Sequence, residues 1–598
     1  MNATTIRANV RSHLLLALML FAMTASAKSA ELDNDLRTLL QNAGISTMPS
    51  ATANDPNKVE LGRMLFFDRE LSGHRDTACA TCHHPSTMSG DGRSLPSGTG
   101  GEGLGPDRTI GDGLESIPRN SPEIFDRGNS DWTSMFWDSR VANTNGHLQT
   151  PAGADLPDGL ESPLAAQAMF PVTSRAEMRG FAGQPDAFGN TNELASLDDS
   201  NLTGIWDGLM NRVLAIPQYK QMFQDAYPST PEAELGFQHA ANAIAAFEAE
   251  SFTTSDSRWD RYLSGDDSAI SPAAKRGAHL FYGGANCSSC HSGNIMTDQE
   301  HHNIGVPQLG PGKDESGLDV GRMLVTQSED DKFTFRTPPL RNTAVTGPWM
   351  HNGAYTELES AVRHFFSPES AIENFDVDKL AEVLRSTVRL EASDIEQLLA
   401  TLDGGLPTDM GVTDQDINDL MAFLFSLTSP TVDMLPALTP DSVPSGLPVD
   451  GLSESLFSVM YDAETGNLMV DGPEGIDLDG FFLRILANGD SEPEFTFELG
   501  SAPWADETDI VLSDDMMAQS FIEYRSDASF LMSDGDLISA MLPAGMSAEA
   551  LSDTLSVVYR MRGNPALWTA DVTVVPEPDV LPLVAFGVLL AFQFRRRP

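Results

Sequence analysis

The pattern Cys-x-x-Cys-His occurs twice, as CATCH at 79–83 and CSSCH at 287–291, and the two copies hold all 4 cysteines of the 598-residue chain. A similar apolar lead precedes each copy: LGRMLFF at 61–67 and RGAHLFY at 276–282. Each lead reads as a short helix that delivers the chain to the motif. Repetition of lead plus motif predicts two related helical domains in the region up to about residue 429.

Two cysteines three apart with a histidine next in line have a specific chemical use. The thiols can form two thioethers to one haem c, and the imidazole that follows reaches the iron. A zinc site would need four convergent ligands, and nothing in it requires a histidine after each pair. A redox dithiol would sit in a βαβ context, which the sequence lacks. Exported cysteines usually pair as disulfides, so haem attachment competes with that default. The reading taken is two covalently bound haem c groups, on Cys79 and Cys82 and on Cys287 and Cys290. His83 and His291 hold the irons, and His84 is an outward neighbour.

Further motifs accompany these units in order. They are LGRMLFFDRELSG before CATCH, then PRNSP, FWDSR, RGAHLFYGGANCSSCHSG and FRTPPLRNTAVTGPWMHNGAYTELESAV. Over residues 59–428 this series resembles the bacterial di-haem cytochrome c peroxidase and MauG family. The resemblance implies two cytochrome-c-like helical domains, 28–235 carrying the peroxidatic haem and 236–429 carrying the electron-transfer haem. It implies that Gln167, Pro171 and Glu177 line the distal pocket of the first haem. A carboxylate there can shuttle a proton between the oxygens of peroxide, an effect typically of about 10²–10⁴-fold. It implies that Trp137 carries electrons between the haems. It also implies a calcium ion held by Asn120, Thr346 and Pro348, an amide and two carbonyls suited to a hard cation.

The sequence departs from the family in three places. No histidine occurs between Pro85 and Gly146, so no histidine from the loop after the first haem closes that iron. Phe365 stands where the second haem usually takes a methionine or tyrosine, and phenylalanine cannot bind iron. His364 beside it is a candidate ligand, although one helical residue turns a side chain about 100°. The stretch between Trp137 and Gln167 is long and includes GADLPDGLES, an insertion near the pocket.

Helical periodicity marks 34–43, 205–226 with a break at Pro217, 234–251 and 414–428. The Gly-, Ser-, Pro- and Asp-rich stretch 90–118 reads as a long functional loop. Residues 429–448 contain five prolines and read as a linker, 430–448. Alternating runs between 449 and 575 predict a β-sandwich for adhesion, spacing or display, followed by a short apolar C-terminal helix.

Residues 1–27 read as a signal peptide, with Arg7 and Arg11 before an apolar core and Ala25-Ser26-Ala27 at the cleavage site. Pro576-Glu577-Pro578, an apolar stretch and Arg595-Arg596-Arg597 resemble a PEP-CTERM sorting tail over 576–598. That resemblance implies exosortase-type processing and at least transient membrane anchoring, in the periplasm or at the cell surface. A net charge of -49 excludes nucleic acid as a partner.

The expected activity is reduction of hydrogen peroxide with electrons from a small redox protein, a cytochrome c or cupredoxin. A homodimer stays open. Two alternatives also remain: a MauG-type oxidase modifying a partner protein, and a non-enzymatic surface electron carrier.

Overall fold

In the computed structural model the described residues are 31–49, 53–111 and 113–451, with strand backbones between 458 and 575. The signal peptide and the sorting tail lie outside them. Two units are present, Met1–Asp450 and Gly451–Pro598.

The repeated leads fold as helices Pro56–Phe67 and Pro272–Tyr282. Each opens with a proline in its first turn behind a capping side chain, Asp55 or Ser271. Proline suits that position because the N–H it lacks would be unpaired there. The repeat has a packing cause. A Cβ on Gly62 would lie 1.8 Å from the carbonyl oxygen of Ala243, and one on Gly277 1.8 Å from that of Asp419. Each lead therefore crosses its partner helix, Phe237–Ser251 or Asp414–Ser426, at backbone contact. Aromatic pairs extend both crossings, Phe66 with Phe247 at 5.2 Å and Phe281 with Phe423 at 5.1 Å. One packing solution is used twice.

The first crossing moves a boundary. Helix Phe237–Ser251, assigned from sequence to the second haem domain, packs on the lead helix of the first. The helix at 31–42, assigned to the first domain, packs on the second. Its Leu36 and Leu40 enter the cluster of Trp259, Tyr262, Phe281 and Phe423. The buried Asp33–Lys275 pair, at 2.7 Å, fastens it there.

The segment 430–448 is not a free linker. It coils through Pro430–Leu438 and then runs along the first haem domain. Val432, Leu435, Val443 and Leu447 are buried, each worth roughly 1.5–3 kcal/mol. Arg63 donates to the Leu438 carbonyl at 2.9 Å, and the Ser445 hydroxyl donates to Asp68 at 2.7 Å. Its prolines disguise a strap whose interleaved apolar side chains bury. Elsewhere the periodicity reading holds: Leu202–Leu214 and Pro217–Ala226 break at Pro217.

In the second unit the described strands join one nine-stranded sheet. Its long strand Ile476–Leu486 pairs antiparallel with Gln519–Tyr524 and with Leu555–Met561. Trp568–Val575 runs parallel to Ser458–Asp462. Strands expected from sequence are present near 458–462, 468–471, 555–561 and 568–575, while the run at 495–499 lies outside the described residues; the hydrogen bonding is one continuous ladder and does not define the two layers of a sandwich. Among the described residues no helix is long and apolar enough to cross a membrane.

Candidate haem sites and the bridge between them

Cys79–Cys82 forms a single helical turn, and all four cysteines are free thiols. The turn is tied locally, since Ala78 N–H donates to the Thr81 hydroxyl at 2.8 Å. His83 follows with its Nδ1 3.0 Å from the Ser89 carbonyl. That contact makes Nδ1 the protonated nitrogen and leaves Nε2 for a metal. Burial pushes the His83 pKa down to about 4, so the ring is the neutral form that a ligand must be.

The second haem domain repeats this arrangement. His291 Nδ1 lies 3.1 Å from the Pro338 carbonyl and 3.2 Å from that of Met296, and burial lowers its pKa to about 4. Beside it opens a cavity of ≈ 1650 Å³, counting its mouth, walled by Cys287, Cys290, Phe281, Leu420 and Leu424. Paired free thiols, an oriented neutral imidazole and an apolar hollow together fit haem c at this site.

His84 is not an outward neighbour. It is buried, its Nδ1 accepts from Ser86 N–H at 3.1 Å, and its Nε2 lies 3.2 Å from the Asp450 carbonyl. The Asp450 carboxylate also accepts from Thr81 at 2.5 Å and pairs with Arg69 at 2.6 Å. The end of the strap thus clamps the first attachment turn.

The three residues expected from sequence in the distal pocket lie on successive short elements. Gln167 is on helix Pro163–Ala168, Pro171 opens the turn Pro171–Thr173, and Glu177 sits on the π-helical turn Arg175–Arg179. All three side chains are half-buried. π-Turns are frequent at functional sites because the widened turn re-aims its side chains. The glycine-rich loop 90–118 packs on this turn. Thr99 N–H reaches the carbonyls of Ala176 and Glu177 at 3.3 and 3.0 Å. A Cβ on Gly98 would meet the Ala176 oxygen at 2.1 Å, so only glycine permits the approach. The insertion before Gln167 is pinned as well: Asn242 donates to the Gly159 carbonyl at 2.8 Å, and Lys58 pairs with Glu161 at 2.8 Å.

Trp137 is buried and donates from its ring to the Asn120 carbonyl at 3.0 Å. A buried ion network holds the turn it stands in. Arg119 of PRNSP pairs with Asp138 of FWDSR and with Asp319, each at 2.6 Å. Removing one member would strand the others, a cost of about 3–5 kcal/mol. Asn120, Thr346 and Pro348, named from sequence as cation ligands, all face the same cavity as Trp137.

His364 is withdrawn as an iron ligand. Its Nδ1 lies 2.7 Å from the Tyr355 hydroxyl and its Nε2 2.6 Å from the Ile304 carbonyl, so both ring nitrogens are taken. Phe365, one residue on, faces the cavity. Sequence reasoning also passed over His302, which lies between Asp403 at 2.7 Å and Asp298 at 3.2 Å. Cys290, Asp298 and His302 are close enough to suggest a metal cluster. A Cys290 thioether removes one of the three ligands, so the group is better described as a charged histidine held by two carboxylates.

Paired attachment turns on a twice-used helical framework define a c-type cytochrome with two haems. The family profile described as di-haem cytochrome c peroxidase matches residues 56–268. The methylamine utilization protein MauG of Methylorubrum extorquens is 31% identical over 348 residues, covering 58% of this chain and 78% of its own. The cytochrome c551 peroxidase of Pseudomonas aeruginosa is 30% identical over 303 residues, covering 51% and 70%. A crystal structure of a MauG-like protein associated with microbial copper homeostasis superposes with a TM-score of 0.44 at 25% identity, covering 65% of this chain and 94% of its own. The chain belongs to the di-haem cytochrome c peroxidase and MauG family, and it is an oxidoreductase with two haem c groups.

Proposed function

We propose that this chain reduces hydrogen peroxide to water on the His83 side, using two electrons and two protons per peroxide. A small redox protein, a cytochrome c or cupredoxin, supplies the electrons on the His291 side. Bound haem c supplies the redox-active iron at each site. Glu177 moves a proton from one peroxide oxygen to the other, and Gln167 orients the peroxide by hydrogen bonding. Pro171 stiffens the turn between them. Trp137, anchored at ring and main chain, carries electrons between the two sites. The observation that carries this reading is the joint between the loop and the Glu177 turn. A loop without histidine is fastened there by Thr99, beside a half-buried carboxylate.

The test is Glu177→Gln, with haem content checked by absorbance. Turnover with reduced cytochrome c should fall by about 10²–10⁴-fold. Unchanged turnover with both haems present would remove Glu177 from the proton path, and no turnover by the wild type with both haems present would favour the electron-carrier reading.

The missing loop histidine also favours a second reading, a MauG-type oxidase modifying a partner protein, while Phe365 in place of tyrosine weakens it. Spectra recorded after peroxide is added without donor separate the two: rapid decay once donor is supplied supports the peroxidase, and a long-lived species supports the oxidase.

Calcium at Asn120, Thr346 and Pro348 is part of the proposal, with the ion bracing the wall that holds Trp137. So are export, a sorting tail read by exosortase-type machinery, a β-sandwich used for display, and a homodimer.

A further inference from the structure

Arg336, in FRTPPLRN, stands at the wall of the cavity beside His291 with no carboxylate in hydrogen-bond contact, although Glu123 lines the same cavity. The residue is only 4% exposed. Its Nε donates to the Phe136 carbonyl at 3.0 Å and its Nη1 to the Thr337 carbonyl at 3.3 Å. Its main-chain N–H donates to the Trp137 carbonyl at 2.8 Å, and its guanidinium lies 5.0 Å above the Trp132 ring. Every hydrogen-bond acceptor is neutral. The carboxylates whose field reaches it are engaged elsewhere: Glu123 with Arg127 at 2.7 Å, and Asp138 with Arg119 at 2.6 Å. Burial accordingly lowers its pKa to about 9.

A buried guanidinium without an anion is costly, and proteins keep one where a ligand supplies the negative charge. Among the described residues Arg336 is the one guanidinium lining this cavity, and no lysine lines it. His302, another basic group there, already has Asp298 and Asp403. His351 is buried, with its pKa down at about 3, and is neutral. Haem carries two propionates.

We propose that Arg336 binds a propionate of the haem attached at Cys287 and Cys290, and so ties that haem to the Phe136-Trp137 main chain. The inference rests on haem at His291. Planar, two-pronged carboxylate recognition is what arginine does better than lysine. Arg336 is then a positioning residue for electron transfer: it holds haem edge and bridging tryptophan in one connected unit.

The experiment uses holoprotein of the wild type, Arg336→Gln and Arg336→Lys. Haem count, the midpoint potential of each haem and the propionate bending bands in the resonance Raman spectrum are measured. In Arg336→Gln the propionate band should shift. The reduction equilibrium of the His291 haem should move at least tenfold toward the oxidised form, 59 mV for one electron, while the His83 haem stays unchanged. Arg336→Lys should restore part of the potential but not the band. An unshifted band with both haems present overturns the proposal, even if the potential moves, because charge alone acts through space. If Arg336→Gln does not fold, Arg336→Lys decides by the band. A wild-type protein that holds haem only at His83 would instead sink the reading of the second site.

Discussion

At the first attachment turn Ala80, Thr81 and His84 are buried and the strap ending in Asp450 closes the turn from behind. At the second, Asn286 and Ser289 are exposed, although the four cysteines themselves are all half-buried. The same five-residue pattern is enclosed in one place and open in the other. Under the proposed function the enclosed turn belongs to the haem that meets peroxide, and the open turn to the haem that receives electrons. The chain builds this difference by sending its ends across: helix 31–42 goes to the second domain, and the strap 430–450 to the first.

The largest effect that can break this comparison is at Asp450. Asp450→Ala leaves Arg69 and Thr81 without their acceptor and frees the strap. Stability should fall by about 3 kcal/mol, read as a lower urea midpoint with an unchanged slope. A loss below about 0.5 kcal/mol would mean that the strap lies on the turn without holding it.

Next comes the open turn. Ser289→Trp should raise KM for the donor protein about tenfold, equivalent to about 1.4 kcal/mol of docking energy. The rate of the first peroxide-induced spectral change should stay the same. Slowing of that step would show that the second turn is not simply an uptake surface.

The smallest effect concerns the carboxylate pair around His302. Asp298 first, together with Asp403, raises the His302 pKa above its ordinary value, and the further push of a free Cys290 thiol is lost in the thioether. A histidine with a raised folded-state pKa adds stability below its unfolded value near 6.5. That stability drains away as pH rises through the raised value. His302→Gln should therefore cost about 1 kcal/mol at pH 6 and progressively less by pH 10, seen as converging melting temperatures. A gap independent of pH would make the pairing steric and not ionic.

Much of the helical framework was legible because its signals are local. The prolines behind capping side chains and the break at Pro217 act within one or two turns of helix. The strap was misread because prolines dominate its composition, whereas its burial depends on a surface far away in sequence. Arg69 and Asp450 are 381 positions apart. His364 and Phe365 show the same limit within one helical turn. Adjacency to Phe365 made His364 a candidate for the iron, and contacts with Tyr355 and Ile304 removed it. Arg336 sat in a motif already singled out, but an arginine in a sequence does not announce that its charge will be buried and unpaired.

By itself the sequence determined where haem is attached. Two thioethers and an axial imidazole need residues at fixed short spacing, and no distant contact can supply or cancel that geometry. It also determined the family, through motifs whose order along the chain matches. Only the tertiary structure decided which histidines are free to bind, which turn is enclosed and which cation faces the haem cavity. Those are questions of hydrogen-bond and charge satisfaction, and buried polar groups are satisfied by whatever the fold brings beside them.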